Sequence, residues 1–479
     1  MTKMTEVRSH RFWAAFMTVA LLTAIASCGG GGVVGSGGTG RAAGVAVGTV
    51  NGFGSVIVDG VVYDDHAAPV VSETAPGVDA ITELRLGHRV SVEYQAVGVA
   101  SLIRVEAAVA GTVASVTSPG VFSVLGQTVT ANTNGSVGPI TQFGGGYAQA
   151  ADVHAADPVE IHGVLVRRNG SYTIQATRID KLAATPAYLR VTGLASSVGT
   201  AGPGLLNLAG LSVDTSASSI LPAGSVLAEG QAITVIAQPA SLTKLAGSGL
   251  RLMATQTRVR QLGGGDLDDY VSGSLSHLNT SAKAFALGSL VVHYASATVS
   301  LGGAVLADGQ YVLARGTKAA DGSLTATSVT LRNTGSDDEA ELKGNISGYV
   351  ASTRQFTVRG VSVDASAASI QSCPAGGLAD GQFVEVRGAL ISTGVMAKTV
   401  QCESESSGST VERTGAAGAV DAVARSFNLT NSSGTIVVTW GDNTFFSGVT
   451  PQTLSGKTVQ VEGQFNAGVL NASKVEIED

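Results

Sequence analysis

Six times between residues 45 and 479 the chain repeats one order of segments: Gly-x-hydrophobic, an alternating Phe-x-Val-x-Gly run, Leu-Ala-(Asp/Glu)-Gly-Gln with alternating valines after it, and Ala-x-x-Val. Self-similarity at a spacing of roughly 75 residues excludes one large core and predicts a string of small domains, each touching mainly its neighbours. The fifth copy is the cleanest. Gln355-Phe356-Thr357-Val358-Arg359-Gly360-Val361-Ser362-Val363-Asp364 is apolar at every second position, the period of a half-buried strand and not of a helix. Leu378-Ala379-Asp380-Gly381-Gln382 leads into Phe383-Val384-Glu385-Val386-Arg387-Gly388, and Met396-Ala397-Lys398-Thr399-Val400 closes the copy.

The fourth copy keeps that order from Val271 through Leu306-Ala307-Asp308-Gly309-Gln310 to Val329, and the third keeps Leu227-Ala228-Glu229-Gly230-Gln231. The first two are more degenerate, with Leu86-Gly87-His88-Arg89-Val90 and Val159-Glu160-Ile161-His162-Gly163 in the corresponding places. The copies occupy 45–107, 108–184, 185–262, 269–333, 341–403 and 412–479, behind a leader at 1–27 and a Gly-rich tether at 28–44. The Ala-Asp-Gly step reads as a turn in which Asp bonds its own backbone and Gly takes the left-handed position. Five short strands, with only a turn between the third and fourth, predict an all-β tandem array of about six small five-stranded OB-like barrels.

The order Gly-x-Val, Phe-x-Val-x-Gly, Leu-x-x-Gly-x-x-Val-x-Val-x-Gly and Ala-x-x-Val resembles the repeated β-domain of bacterial lipoproteins known as DUF5666, a domain of unknown function. The resemblance is strongest from 269 onward and weakest before 185. It implies a small OB-like barrel and carries no catalytic or ligand residues.

Lys3, Arg8 and Arg11, an apolar run from Phe12 to Ile25, and Ile25-Ala26-Ser27-Cys28 form a secretory signal followed by a cysteine. That step resembles the bacterial lipobox, which implies cleavage before Cys28 and its acylation. Gly29 in the next position resembles lipoproteins sent to the outer membrane, so the expected address is the bacterial cell envelope, with the protein held to the membrane through acylated Cys28. Cys373 and Cys402 are then the remaining cysteines, both in the fifth copy, and an even pair in an exported domain reads as a disulfide.

Removing the leader takes the formal net charge from −7 to −9, and only 5% of residues are aromatic. An acidic chain poor in rings lacks the cationic, stacking walls that nucleic acid requires. His88, His154, His162 and His293 are spread over three copies without metal-ligand spacing and read as surface strand positions, while Asp64-Asp65-His66 reads as a turn. The acidic runs Asp266-Leu267-Asp268-Asp269 and Asp337-Asp338-Glu339-Ala340-Glu341 match no calcium loop and read as solvated linkers. No nucleophile elbow, P-loop or zincin motif occurs, so no catalytic residue, metal site or cofactor is assigned. The reading is a non-catalytic envelope lipoprotein whose row of barrels serves as a spacer or a scaffold for an envelope protein. The alternatives are a glycan- or small-molecule-binding lipoprotein using barrel faces or clefts between barrels, with Trp440, Phe445 and Phe446 as the best ring patch, and an enzyme without a recognisable motif. The anchor is directly testable: palmitate labelling should vanish in Cys28→Ser and the protein should leave the membrane fraction, and labelling that persists would remove the lipoprotein assignment.

Overall fold

The computed structural model describes residues 42–479 apart from 201, 248, 264, 334, 337–339, 376, 403–409, 432–433, 467 and 479. The leader, Cys28 and nearly all of the tether lie outside the described residues. The described chain is all-β, broken only by three short 3-10 turns. In the fourth unit the strands are Asp269–Asn279, Ala284–Leu287, Leu290–His293, Tyr311–Lys318 and Leu324–Leu331. The first pairs antiparallel with the second and the second with the third. The third then runs parallel to the fifth, the fifth antiparallel to the fourth, and the fourth returns to the first. The fifth unit repeats this ring, as does the second. In the sixth, the strands between Thr410 and Ile477 close into a barrel. The third unit departs from the pattern. An extra hairpin strand, Leu242–Lys244, precedes its fifth strand, which is split into Leu250–Met253 and Gln256–Val259.

The glycine of Val-x-Val-x-Gly has a steric cause. At Gly163, Gly316, Gly388 and Gly463 the pairing of the fourth with the fifth strand slips by a residue. A Cβ on Gly316 would lie 2.1 Å from the Thr325 carbonyl oxygen, and one on Gly388 2.1 Å from that of Met396. Such a bulge bends the strand sharply enough for five strands to close, and only glycine lets the backbones approach so nearly.

The Leu-Ala-Asp-Gly-Gln turn works differently from the sequence expectation. Asp308 accepts from the Leu278 amide at 2.9 Å and Asp380 from the Tyr349 amide at 2.7 Å, so the carboxylate ties the turn to the end of the first strand instead of bonding its own backbone. The glutamine supplies the local closure: Gln310 Oε1 accepts from Ala307 N and Gln382 Oε1 from Ala379 N, both at 2.9 Å. The longer amide side chain spans the turn, which leaves the shorter carboxylate for the neighbouring strand.

Neighbour-only contact is overturned as well. The first unit touches each of the other five. Thr177 of the second unit donates to Gly87 O at 2.6 Å, and Arg258 of the third lies 3.0 Å from Glu73. Strand Gly44–Phe53 runs parallel to the first strands of both the fourth and the fifth units. Lys474 of the sixth reaches Asp65 at 3.6 Å. The apolar cores merge accordingly, the first unit with the fifth and the second with the third. Units of this size have marginal cores alone, and fusion buries flanks that isolated barrels would expose.

At the centre of the first–fourth contact lies a buried ion pair. Asp59 and Arg89 are 1% and 5% exposed, with carboxylate and guanidinium 3.8 Å apart. Asp59 accepts from the Thr49 amide at 2.7 Å, the Tyr311 hydroxyl at 3.0 Å and the Ser272 hydroxyl. Arg89 donates to Thr49 Oγ1, Ser272 Oγ, the Tyr311 hydroxyl and Ser272 O at 3.1–3.2 Å. Burial, with Asp59 beside it, pushes the Tyr311 hydroxyl up, so it stays protonated and donating.

Cys373 and Cys402 form a disulfide in the fifth unit, with Cα atoms 4.8 Å apart. It closes a loop of 29 residues, which contributes about 3–4 kcal/mol in the chain-entropy description.

Three outcomes are expected. Scattering from the mature protein should give a radius of gyration near the ~22 Å of a compact chain of this length, and a value typical of an extended row of domains would refute the packing. Arg89→Met should cost about 3–5 kcal/mol in urea unfolding because Asp59 is left charged and buried, whereas Arg89→Met with Asp59→Leu should recover most of it. Leu125 holds the equivalent turn position at a matching φ of 49°, so leucine fits the backbone there. Reducing the disulfide should lower the unfolding midpoint of the fifth unit, and an unchanged midpoint would make the bridge energetically idle.

Candidate functional site

Packing around the first unit leaves a cavity of about 300 Å³ where four units meet. Val47 of the first unit, Val164 of the second, Ala232 of the third and Val271 of the fourth each supply part of its wall. Gly163, the bulge glycine of the second unit, also lines it, because a Cβ there would meet Gln175 O at 2.7 Å. The remaining apolar lining is aliphatic throughout and includes no aromatic ring. A neighbouring cavity of about 360 Å³ lies between the first and third units and shares Val259, Arg260 and Gln261 with it, so residues 259–261 form a common partition.

Ten polar side chains share the lining, and the charged ones are differently committed. Arg89 points its charge into the Asp59 network. Glu106 meets Arg260 at 2.7 Å and accepts from Ser91 at 3.0 Å. Burial pushes the Glu106 carboxyl up, but Arg260, the Ser91 hydroxyl and Arg104 together hold it below the usual carboxylate range. In the partition's other wall, Glu73 is held by Arg258 at 3.0 Å and by Gln256 at 2.7 Å, which fixes the strand that carries Arg260. Ser274 is 3% exposed and its hydroxyl has no hydrogen-bond partner. Lys318 lines the opposite side, where its ammonium makes one long contact of 3.5 Å to the Leu262 carbonyl.

Two histidines assigned to surface strand positions are instead internal. His88 and His162 are 6% and 0% exposed and stack with ring centroids 4.5 Å apart where the first and second units join. Burial, and then the adjacent His162, hold His88 well below the usual imidazole range, so it packs as a neutral ring that accepts from the Arg85 amide at 3.2 Å. The acidic stretch before the fourth unit is not a solvated linker either. Asp268 pairs with Arg315 at 2.7 Å, and Asp269, 2% exposed, accepts from the Val45 amide at 2.8 Å. Among the described residues no group of three or more His, Cys, Asp and Glu side chains is placed to hold a metal ion.

Trp440 and Phe446 sit edge to face at 6.0 Å against the sixth core, and Phe445 stands opposite Lys474 in the register of the sixth unit. None of the three lines the cavity. Sequence reasoning missed Asp59, Arg89, Ser274 and Lys318. A signal existed for the first two in their departure from the repeat: Asp59 stands where other copies have Leu125, Ala209 or Arg359, and Arg89 where they have Tyr311 or Phe383.

A family profile described as "Domain of unknown function (DUF5666)" matches residues 110–180, 272–330, 343–401 and 417–476, on the second, fourth, fifth and sixth units. The second unit therefore matches despite its degenerate motifs, and the third does not despite its clean Leu-Ala-Glu-Gly-Gln. No curated protein matches the chain. A solved structure titled "drosophila Unr CSD456" is similar at 13% identity, covering 40% of this chain and 88% of that chain, with a TM-score of 0.12. With the four matches spanning just over half of its length, the chain belongs to the DUF5666 family.

Proposed function

We propose that this protein is a non-catalytic envelope lipoprotein, anchored through acylated Cys28 at the outer membrane, that holds a small molecule in the cavity where its first four units meet. The six units are read as OB-type barrels, a reading supported by the recurring ring of pairings in which the third strand runs parallel to the fifth. The observation that carries the binding function is the cavity itself: a space of about 300 Å³, partly open to solvent, whose wall combines eleven aliphatic side chains from four units with ten polar ones. That is the size and character of a small-molecule site.

A spacer needs reach, and the contacts of the first unit with all five others argue against it. A sugar face is held by stacking on rings, and the cavity supplies none. The non-catalytic reading is supported by the commitment of Asp59, the carboxylate nearest Ser272, to a backbone amide, a tyrosine and Arg89. Native mass spectrometry of protein purified from its own host should show a stoichiometric small-molecule adduct. Ser289→Trp, at an exposed turn on the rim of the cavity, should abolish the adduct while leaving the unfolding midpoint within a degree or two. An adduct retained in Ser289→Trp would move the ligand elsewhere on the molecule, and no adduct would remove the binding function.

A further inference from the structure

The chemistry of the cavity narrows its occupant, on the proposal that the cavity is a binding site. Its charges do not cancel. Arg89 is answered by Asp59 and Arg260 by Glu106, which leaves Lys318. Among the described residues no carboxylate lies within ion-pair distance of the Lys318 ammonium. Asp269, whose charge Lys318 feels from farther away, is turned to the Val45 amide. One unbalanced cation on a partly enclosed wall favours an anion, since opposite charges gain more where the access of water is reduced.

The rest of the wall sets the body of the ligand. Valine, leucine, isoleucine and alanine side chains from four units face the space, with no ring on which a planar base or a pyranose could stack and no second free cation for a polyanion. Such walls favour a flexible hydrocarbon, which gains free energy roughly in proportion to the methylenes it buries.

We infer that the cavity takes a single-chain amphiphile with an anionic head, of the alkyl carboxylate class, whose head group meets Lys318 and whose chain lies against the aliphatic part of the wall. Arg260, already paired with Glu106, positions the partition and is not the primary contact.

Calorimetric titration of the full chain carrying Cys28→Ser, so that no detergent is needed, tests this with octanoate, decanoate and dodecanoate beside the matching 1-alkanols. Affinity should rise about four-fold per methylene, the equivalent of ~0.8 kcal/mol, until the chain outgrows the cavity. Each acid should bind at least five-fold more tightly than its alcohol. Lys318→Gln should erase that preference while leaving the alcohols unchanged, and Lys318→Arg should restore it. Alcohols that bind as well as acids, with Lys318→Gln silent, would overturn the anionic head yet leave the cavity as a binding site. If neither series binds while native mass spectrometry still shows an adduct lost in Ser289→Trp, the alkyl class is wrong and the site is right. If neither series binds and no adduct is found, the cavity reading itself falls.

Discussion

The arrangement of the six units depends on a charge pair sealed between two of them. Asp59 and Arg89 both belong to the first unit, but their hydrogen bonds are completed by Ser272 and Tyr311 of the fourth. Taking two ions out of water is expensive, and the cost is offset only when the remaining lone pairs and protons find partners in good geometry. The fourth unit supplies those partners in one orientation. A shifted docking would strand a buried carboxylate or guanidinium, so the pair specifies how the units meet more than it strengthens the contact.

The first unit is degenerate in sequence for the same reason that it is central. A copy that merely completes its own ring of strands can keep the repeat's consensus, whereas one that presents surface to five partners must change the residues at those surfaces. Asp59 occupies a hairpin turn with φ of 47°, a conformation that Leu125 and Arg359 also adopt at equivalent turns. The backbone therefore tolerates several side chains there, and the choice of aspartate is made by what lies across the interface. Arg89 follows the same logic, since its counterpart Tyr311 lies in the same buried network from the opposite side.

Function, on this view, is a property of the junction. No single unit encloses the cavity; its walls come from four, and its partition is anchored by Glu73 and Glu106 of the first unit acting on Arg258 and Arg260 of the third. Ion pairs at the edge hold the partition in place, and aliphatic side chains from four units form part of the wall. Among the charged groups of the lining, Lys318 is distinguished by having no carboxylate within ion-pair distance among the described residues.

The sequence by itself determined the strands, the spacing of the units and the bulge glycines. Each of these depends on local alternation and local sterics: the period of Phe356-Thr357-Val358 is readable without knowing what the strand packs on, and Gly388 is required by its own fifth strand. The pairing of Cys373 with Cys402 was likewise legible, because both fall in one copy. Only the tertiary structure decided that the copies gather round the first, that His88 and His162 are internal and that Asp269 is buried. These are consequences of surfaces from distant repeats meeting, and an alternating strand presents similar apolar and polar faces whether its outer side ends in water or against another unit. The same holds for the cavity, whose residues are spread from Val47 to Gly322 and share no motif, because what unites them is enclosure by packing.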